Sequence, residues 1–106
     1  MEQNFYQQIS AEEAKAIIDE QHGAIILDVR EPNEYNSGHI PGAVLLPVGS
    51  INEDSAKDAI PAKSTAVLVY CRSGNRSKAA SSVLVELGYT QVYEFGGIID
   101  WPYDIE

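Results

Sequence analysis

The sequence contains a single cysteine, Cys71, among its 106 residues. One thiol excludes an intramolecular disulfide, and it also excludes a zinc site built from several cysteines. The two histidines, His22 and His39, are too few and too far apart in the chain to predict a dedicated metal site. Any chemical role of Cys71 must therefore be one that a lone thiol can perform.

Long apolar segments and positive charge are also scarce. No segment approaches the roughly 20 apolar residues of a membrane span. Residues 1–8 show neither the basic start nor the apolar stretch of an export signal, so we expect a cytoplasmic protein. There are 7 lysines and arginines against 16 aspartates and glutamates, which gives a net charge of −9. Such a surface repels nucleic acid and anionic membranes, so neither is expected as a partner.

Three of the few basic residues lie close together, at Arg72, Arg76 and Lys78. Chance clustering on a solvated turn is the ordinary explanation for such a group. The same segment begins at the only cysteine, however, and an acidic protein that concentrates positive charge beside its one thiol has a use for it there. We therefore predict that this segment binds an anion.

Segments typical of strands alternate with segments typical of helices. Four apolar runs predict β-strands, at residues 24–29, 43–46, 65–70 and 91–95. Capping residues or apolar residues at helical spacing predict four helices, at residues 11–20, 31–37, 51–60 and 78–87. This alternation predicts an α/β domain with a mostly parallel sheet, in which ligands bind beyond the carboxyl ends of the strands.

Cys71 follows the third predicted strand, and a short loop connects it to the last helix. Backbone N–H groups of such a loop, together with a helix N-terminus, favour a thiolate and bind anions. Arg72 and Arg76 add charge, while Gly74 and Asn75 tolerate the positive φ of a tight loop. Cysteines in such surroundings have pKa values lowered to about 3.5–7.5. The alternative, an inert buried cysteine, explains neither the arginines nor the loop.

The segment Cys71-Arg72-Ser73-Gly74-Asn75-Arg76-Ser77 resembles the active-site loop of rhodanese-like sulfurtransferases. Two further blocks are similar to this family. The upstream block consists of Asp28-Val29-Arg30, Glu34-Tyr35, Gly38-His39-Ile40 and Gly42-Ala43, and the C-terminal block consists of Gly96-Gly97-Ile98 and Trp101. The resemblance extends from Ile9 to Trp101, which is most of the chain.

This resemblance implies one rhodanese-like domain over residues 1–106, with a five-stranded parallel sheet flanked by helices on both faces. It implies that the Cys71 thiolate takes a sulfane sulfur from a small anionic donor such as thiosulfate and becomes a persulfide. A thiol, cyanide or a protein partner then accepts the sulfur, and a protein persulfide can also be the donor. No metal or organic cofactor is implied. The implied substrate-binding residues are Arg72, Ser73, Gly74, Asn75 and Arg76.

Five other residues are expected to support the site rather than to react: Asp28, Arg30, Glu34, His39 and Ser77. Arg30 and Glu34 lie four positions apart and can form an ion pair, although Arg30 can also be interpreted as a substrate contact. We expect His39 to fix its loop by hydrogen bonds, and Trp101 to be a core or lid residue.

Two other functions remain open. Cysteine-dependent phosphatases and arsenate reductases resemble this pattern, but their loops have five residues between the cysteine and the arginine, whereas four separate Cys71 from Arg76. The shorter loop suits a single sulfur atom better than a tetrahedral oxyanion, and Tyr70 rather than a histidine precedes the cysteine. A non-catalytic rhodanese-like binding module is the other alternative, although such modules often lack the cysteine.

Overall fold

The computed structural model describes residues 5–106 and contains one parallel sheet. Its strands are β1 (Gln7–Gln8), β2 (Ile25–Asp28), β3 (Val44–Leu45), β4 (Ala66–Cys71) and β5 (Gln91–Gly97). They are arranged in the order β1-β5-β4-β2-β3, and every neighbouring pair is parallel. The strand that ends at Cys71 is thus the central strand, and the predicted α/β class with five parallel strands is confirmed.

Four α-helices connect the strands: α1 (Ala11–Glu20), α2 (Pro32–Asn36), α3 (Glu53–Ala59) and α4 (Asn75–Glu86). The predicted capping box begins α1, where the Glu13 N–H donates to Ser10 Oγ at 3.0 Å and the Ser10 N–H donates to the Glu13 carboxylate at 2.9 Å. Two short 3₁₀ turns follow β3 and β5, at Val48–Ser50 and Ile98–Asp100.

Helix α4 begins three residues before its predicted start at residue 78. Gly74 is its N-cap with a φ of 115°, a left-handed conformation that favours glycine. The helix ends in a Schellman motif, in which the Gly88 N–H donates to the Val85 carbonyl at 3.0 Å and the Tyr89 N–H donates to the Leu84 carbonyl at 3.1 Å. Because α4 begins early, the loop after Cys71 is only three residues long.

Strand β4 is buried along its whole length and separates two apolar cores. Val67 and Val69 belong to the core that α3 and α4 cover, whereas Leu68 and Tyr70 belong to the core that α1 covers. Helices therefore flank the sheet on both faces, as expected. Trp101 is buried in the second core, which is one of its two predicted roles.

No helix in the described part of the chain is long and apolar enough to cross a membrane. Among the same residues, no group of three or more His, Cys, Asp or Glu side chains is arranged to hold a metal ion.

Candidate active site

Cys71 is the last residue of β4, at the carboxyl edge of the sheet, and is only 1% exposed. The chain turns back over the thiol, so that the Gly74 N–H donates to Sγ with a nitrogen–sulfur distance of 3.0 Å. Ser77, in the first turn of α4, places its Oγ 3.4 Å from Sγ. Strand, loop and helix N-terminus therefore enclose the sulfur atom as the sequence predicts.

Two opposing effects determine the ionisation of Cys71. Burial raises the pKa of the thiol, but hydrogen bonds from the Ser77 side chain and from the backbone N–H groups of Ser77, Gly74 and Ser73 stabilise the thiolate. The hydrogen bonds prevail, and the pKa of Cys71 lies below its ordinary value. The site thus favours the nucleophilic form of cysteine.

Gly97 lies directly against the loop backbone, paired with Cys71 across the β4–β5 ladder. A Cβ atom on Gly97 would lie 2.0 Å from the carbonyl oxygen of Arg72 and 2.6 Å from the Cα of Ser73. Only glycine fits at this position. The C-terminal family signature therefore has a physical reason, because it lets the loop pack onto the end of β5.

Arg76 does not point freely into the loop. Its guanidinium forms a bidentate ion pair with Glu34, with nitrogen–oxygen distances of 2.7 and 2.9 Å. The Arg76 side chain, followed by the Glu31 N–H, holds the pKa of Glu34 at about 2. The spacing of Arg30 and Glu34 allows an ion pair between them, but Glu34 binds Arg76 instead.

Arg30 binds Asp28, the last residue of β2. Its Nη2 lies 2.7 Å from Asp28 Oδ2 and donates also to the Gly38 carbonyl at 2.7 Å. The Tyr70 hydroxyl donates to Asp28 at 2.6 Å and accepts from the Ile40 N–H at 3.1 Å. The side chains of Arg30 and Asp28 are both buried, and the ion pair between them compensates each buried charge. The hydrogen bonds of this network join β2 and β4 to the segment 38–40. The part of Tyr70 in this network was missed from the sequence.

His39 lies in that segment and stacks on Tyr35, with ring centroids 3.8 Å apart. Its Nδ1 is 3.0 Å from the Tyr35 carbonyl oxygen, and its Nε2 is 3.3 Å from the Glu106 carboxylate. The ring thus contacts both Tyr35 and Glu106, and the loop-fixing role of His39 stays a prediction.

Glu94 is the site residue that sequence reasoning missed entirely. This carboxyl group is 2% exposed beneath the loop and accepts hydrogen bonds from Ser77 Oγ at 2.5 Å and from the Gly96 N–H at 2.8 Å. One signal could have revealed it: Glu94 lies two positions after the apolar Val92, on the same face of a buried strand, where a charge needs a partner.

The remaining loop residues differ in their exposure to solvent. The side chains of Arg72, Ser73 and Asn75 are exposed, Gly74 is buried, and the Ile99 N–H donates to the Arg72 carbonyl at 3.3 Å. The result is a cradle, defined here as residues 72–77, in which the N–H groups of Ser73, Gly74 and Ser77 are directed at Sγ. Such a cradle can hold a thiolate or one small anionic atom above it.

Known proteins are similar to this chain in sequence and in fold. The sequence model of the rhodanese-like domain family matches residues 10–102. The thiosulfate sulfurtransferase PspE of Escherichia coli is 40% identical over 74 residues, which are 70% of each chain. The thiosulfate sulfurtransferase GlpE of Pseudomonas entomophila is 36% identical over 92 residues, which cover 87% of this chain and 80% of the relative.

A solved structure agrees with these relatives. The solution structure of a rhodanese-like domain from Anabaena has a TM-score of 0.84 and 29% identity, over 96% of this chain and 80% of that one. Relatives named thiosulfate sulfurtransferase support the predicted class of enzyme, a sulfurtransferase of the rhodanese type. The chain belongs to the rhodanese-like domain family.

Proposed function

We propose that this protein transfers a sulfane sulfur from a small anionic donor such as thiosulfate to a thiol or cyanide, and carries it as a persulfide on Cys71. The observation that carries the proposal is the Gly74 N–H directed at Sγ, 3.0 Å away, at the end of the central strand. This cradle lowers the pKa of Cys71 and supplies donors for an anion on the sulfur.

The reaction has two steps. In the first, the Cys71 thiolate attacks the outer sulfur of thiosulfate, a new S–S bond forms, and the old S–S bond breaks with its electron pair on the departing sulfite. In the second, an acceptor thiolate or cyanide attacks the outer sulfur of the persulfide, and Cys71 leaves as a thiolate. This is covalent catalysis and predicts ping-pong kinetics.

The residues have separate parts in this proposal. The backbone of residues 72–76 binds the donor and the anionic persulfide, and Arg72 adds charge at the exposed side. Glu34, through Arg76, and Ser77 hold the cradle itself. Asp28, Arg30 and His39 support the site through the contacts of the segment 38–40 described above. The donor or acceptor can also be a protein persulfide or thiol, because the chain has no second cysteine to remove the sulfur.

The test is uptake of sulfur in the absence of an acceptor. After incubation with thiosulfate, intact mass spectrometry under non-reducing conditions should find one added sulfur atom on wild-type protein, which cyanide or a small thiol removes. The matched control is Cys71→Ser, which should fold but gain no sulfur, because a serine hydroxyl is not ionised near neutral pH.

Three outcomes contradict the proposal. Sulfur transfer by Cys71→Ser would exclude the covalent step. A wild-type protein that takes up sulfur neither from thiosulfate nor from a persulfide donor would favour a binding module. Hydrolysis of aryl phosphates without sulfur transfer would favour a phosphatase.

A further inference from the structure

Glu94 is a buried carboxyl group that the proposed steps do not use. Among residues 5–106, no lysine, arginine or histidine nitrogen lies within 4.0 Å of its oxygens, whereas the equally buried Asp28 is paired with Arg30. An ionised carboxylate without a cation is costly in the protein interior. The position of Glu94 beneath the nucleophile therefore needs an explanation.

A single hydroxyl group connects Glu94 to Cys71. Ser77 Oγ is 2.5 Å from Glu94 Oε2, a distance typical of a charge-assisted hydrogen bond, and 3.4 Å from Cys71 Sγ. The carbonyl oxygens of Gly74 and Gly96 are also near Ser77 Oγ, at 3.0 and 3.4 Å. The hydroxyl has one proton, so it can donate to the carboxylate or to the thiolate, but not to both at once.

We propose that Glu94 is a positioning residue that controls the ionisation of Cys71 through Ser77, such that the two buried groups share one negative charge. When Cys71 is a thiol, its S–H donates to Ser77 Oγ, and the Ser77 O–H donates to the Glu94 carboxylate. When Cys71 ionises, its proton passes to Ser77 Oγ and the Ser77 proton passes to Glu94. No proton leaves the protein, and Glu94 ends as the neutral acid.

This inference deepens the proposed function and rests on it for its role in turnover. In the sulfur-accepting step, Sγ must leave as a thiolate. A neutral Glu94 donates to Ser77, so that the Ser77 hydroxyl is free to donate to the departing Sγ. An ionised Glu94 would accept the hydrogen bond of the Ser77 hydroxyl, which then could not donate to Sγ. It would also place a second negative charge two hydrogen bonds away from the thiolate.

The groups that donate hydrogen bonds to Glu94 are all neutral. Gln8 of β1 donates to Glu94 Oε1 at 3.5 Å and is neutral, as are Ser77 of α4 and the Gly96 N–H. Arg76, in the same turn of α4 as Ser77, is paired with Glu34.

The first test is the thiolate absorbance of Cys71 as a function of pH in wild type and in Glu94→Gln. The glutamine keeps the shape of the side chain and can accept from Ser77, but it cannot carry the charge. We expect a two-step curve for wild type, because the pair loses its first proton at a lower pH than its second and the thiolate absorbance rises in both steps. For Glu94→Gln we expect a single step at a pH between the two, because Cys71 then titrates alone. A single step in wild type, at whatever midpoint, would overturn the inference and make Glu94 a structural acceptor.

Two controls accompany this measurement. Glu86→Gln makes the same charge change on an exposed residue at the far end of α4 and should leave the midpoint unchanged. In a Ser77→Ala background, Glu94→Gln should change the shape of the curve less, because the connecting hydroxyl is gone. An equal change in both backgrounds would contradict the role of Ser77.

A second measurement uses wild-type Glu94. It tests the inference even if the Glu94→Gln protein does not fold. At a pH between the two steps of the titration, infrared spectroscopy should detect a protonated buried carboxyl group in wild type. Cys71→Ser should weaken that band, because the shared charge then stays on Glu94. An unchanged band would overturn the inference. Neither measurement requires sulfur transfer, so failure of the proposed function can be told apart from failure of this inference. If only the proposed function is wrong, the coupled titration persists although the protein takes up no sulfur from thiosulfate.

Discussion

At the residue scale, Arg76 combines two roles that substitutions can separate. It is the predicted cation of the cradle, and it is also bound to Glu34 across 42 positions of the chain. The Glu34 carboxylate, with its pKa lowered to about 2, stabilises the fold above its ordinary pKa of 4.5, and this contribution is lost as the pH falls toward 2. Near neutral pH the ion pair is therefore fully formed.

We expect Arg76→Ala to lower kcat/KM for thiosulfate, with a loss of roughly 2–4 kcal/mol of transition-state stabilisation, as for removal of an oxyanion donor. Glu34→Gln breaks the same ion pair but keeps the cation, so its kcat/KM should stay within a few-fold of wild type. Steady-state kinetics with thiosulfate and cyanide, combined with urea unfolding of both variants, measures the two effects. Equal losses of activity in the two variants would show that Arg76 acts only by holding Glu34.

At the scale of secondary structure elements, the sequence predicts those strands and helices that form because of their own residues. The runs that became β2, β4 and β5 are apolar and continuous, so their strands could be predicted, as could the capped helix α1. Strand β1 could not be predicted, because Gln7 and Gln8 are polar and exposed. They form a strand only because they pair with Tyr93 and Glu94 of β5.

The same distinction explains which parts of the site were predictable. Cys71, its loop and the following helix are contiguous, so the cradle could be predicted. The start of α4 could not, because Gly74 caps it without a side-chain hydrogen bond and the apolar spacing begins later. The partners of Glu34 and Glu94 lie 42 and 17 positions away, and no local pattern indicates them.

The contact between β5 and the loop after β4 can be tested at Gly97. We expect Gly97→Ala to destabilise the protein by about 1–3 kcal/mol, since the new methyl group meets only backbone atoms, which must move. The displaced cradle should also slow alkylation of Cys71 at mildly acidic pH, because fewer N–H groups then stabilise the thiolate. Urea unfolding and the rate with iodoacetamide measure the two effects.

Gly23→Ala is the matched control, because a Cβ there has no neighbour within 4 Å. Its stability and its alkylation rate should equal those of wild type. A Gly97→Ala protein that matches wild type in both measurements would mean that the loop can move away without consequence, contrary to the close packing described here.

At the scale of the whole molecule, β4 lies between the two apolar cores and packs against both. One face of it packs into the core of Leu27, Val29 and Leu84, the other into the core of Ile26, Phe95 and Trp101. The strand that carries the nucleophile therefore contributes residues to both cores. Neither half of the molecule has a core that is independent of this strand, so we expect a single unfolding transition.

Leu68 and Leu84 test this expectation from opposite faces, since both are fully buried, one in each core. Leu68→Ala and Leu84→Ala should each lower the free energy of unfolding by about 2–5 kcal/mol, through lost burial and the cavity left behind. In each variant, urea unfolding followed by far-ultraviolet circular dichroism should coincide with the change in Cys71 accessibility followed by alkylation. Ile99→Ala, at a side chain that is 60% exposed, should change stability by less than about 0.5 kcal/mol. Two separate transitions, with Cys71 accessible before the helices unfold, would show that the faces of the sheet are independent and that the cradle depends on only one of them.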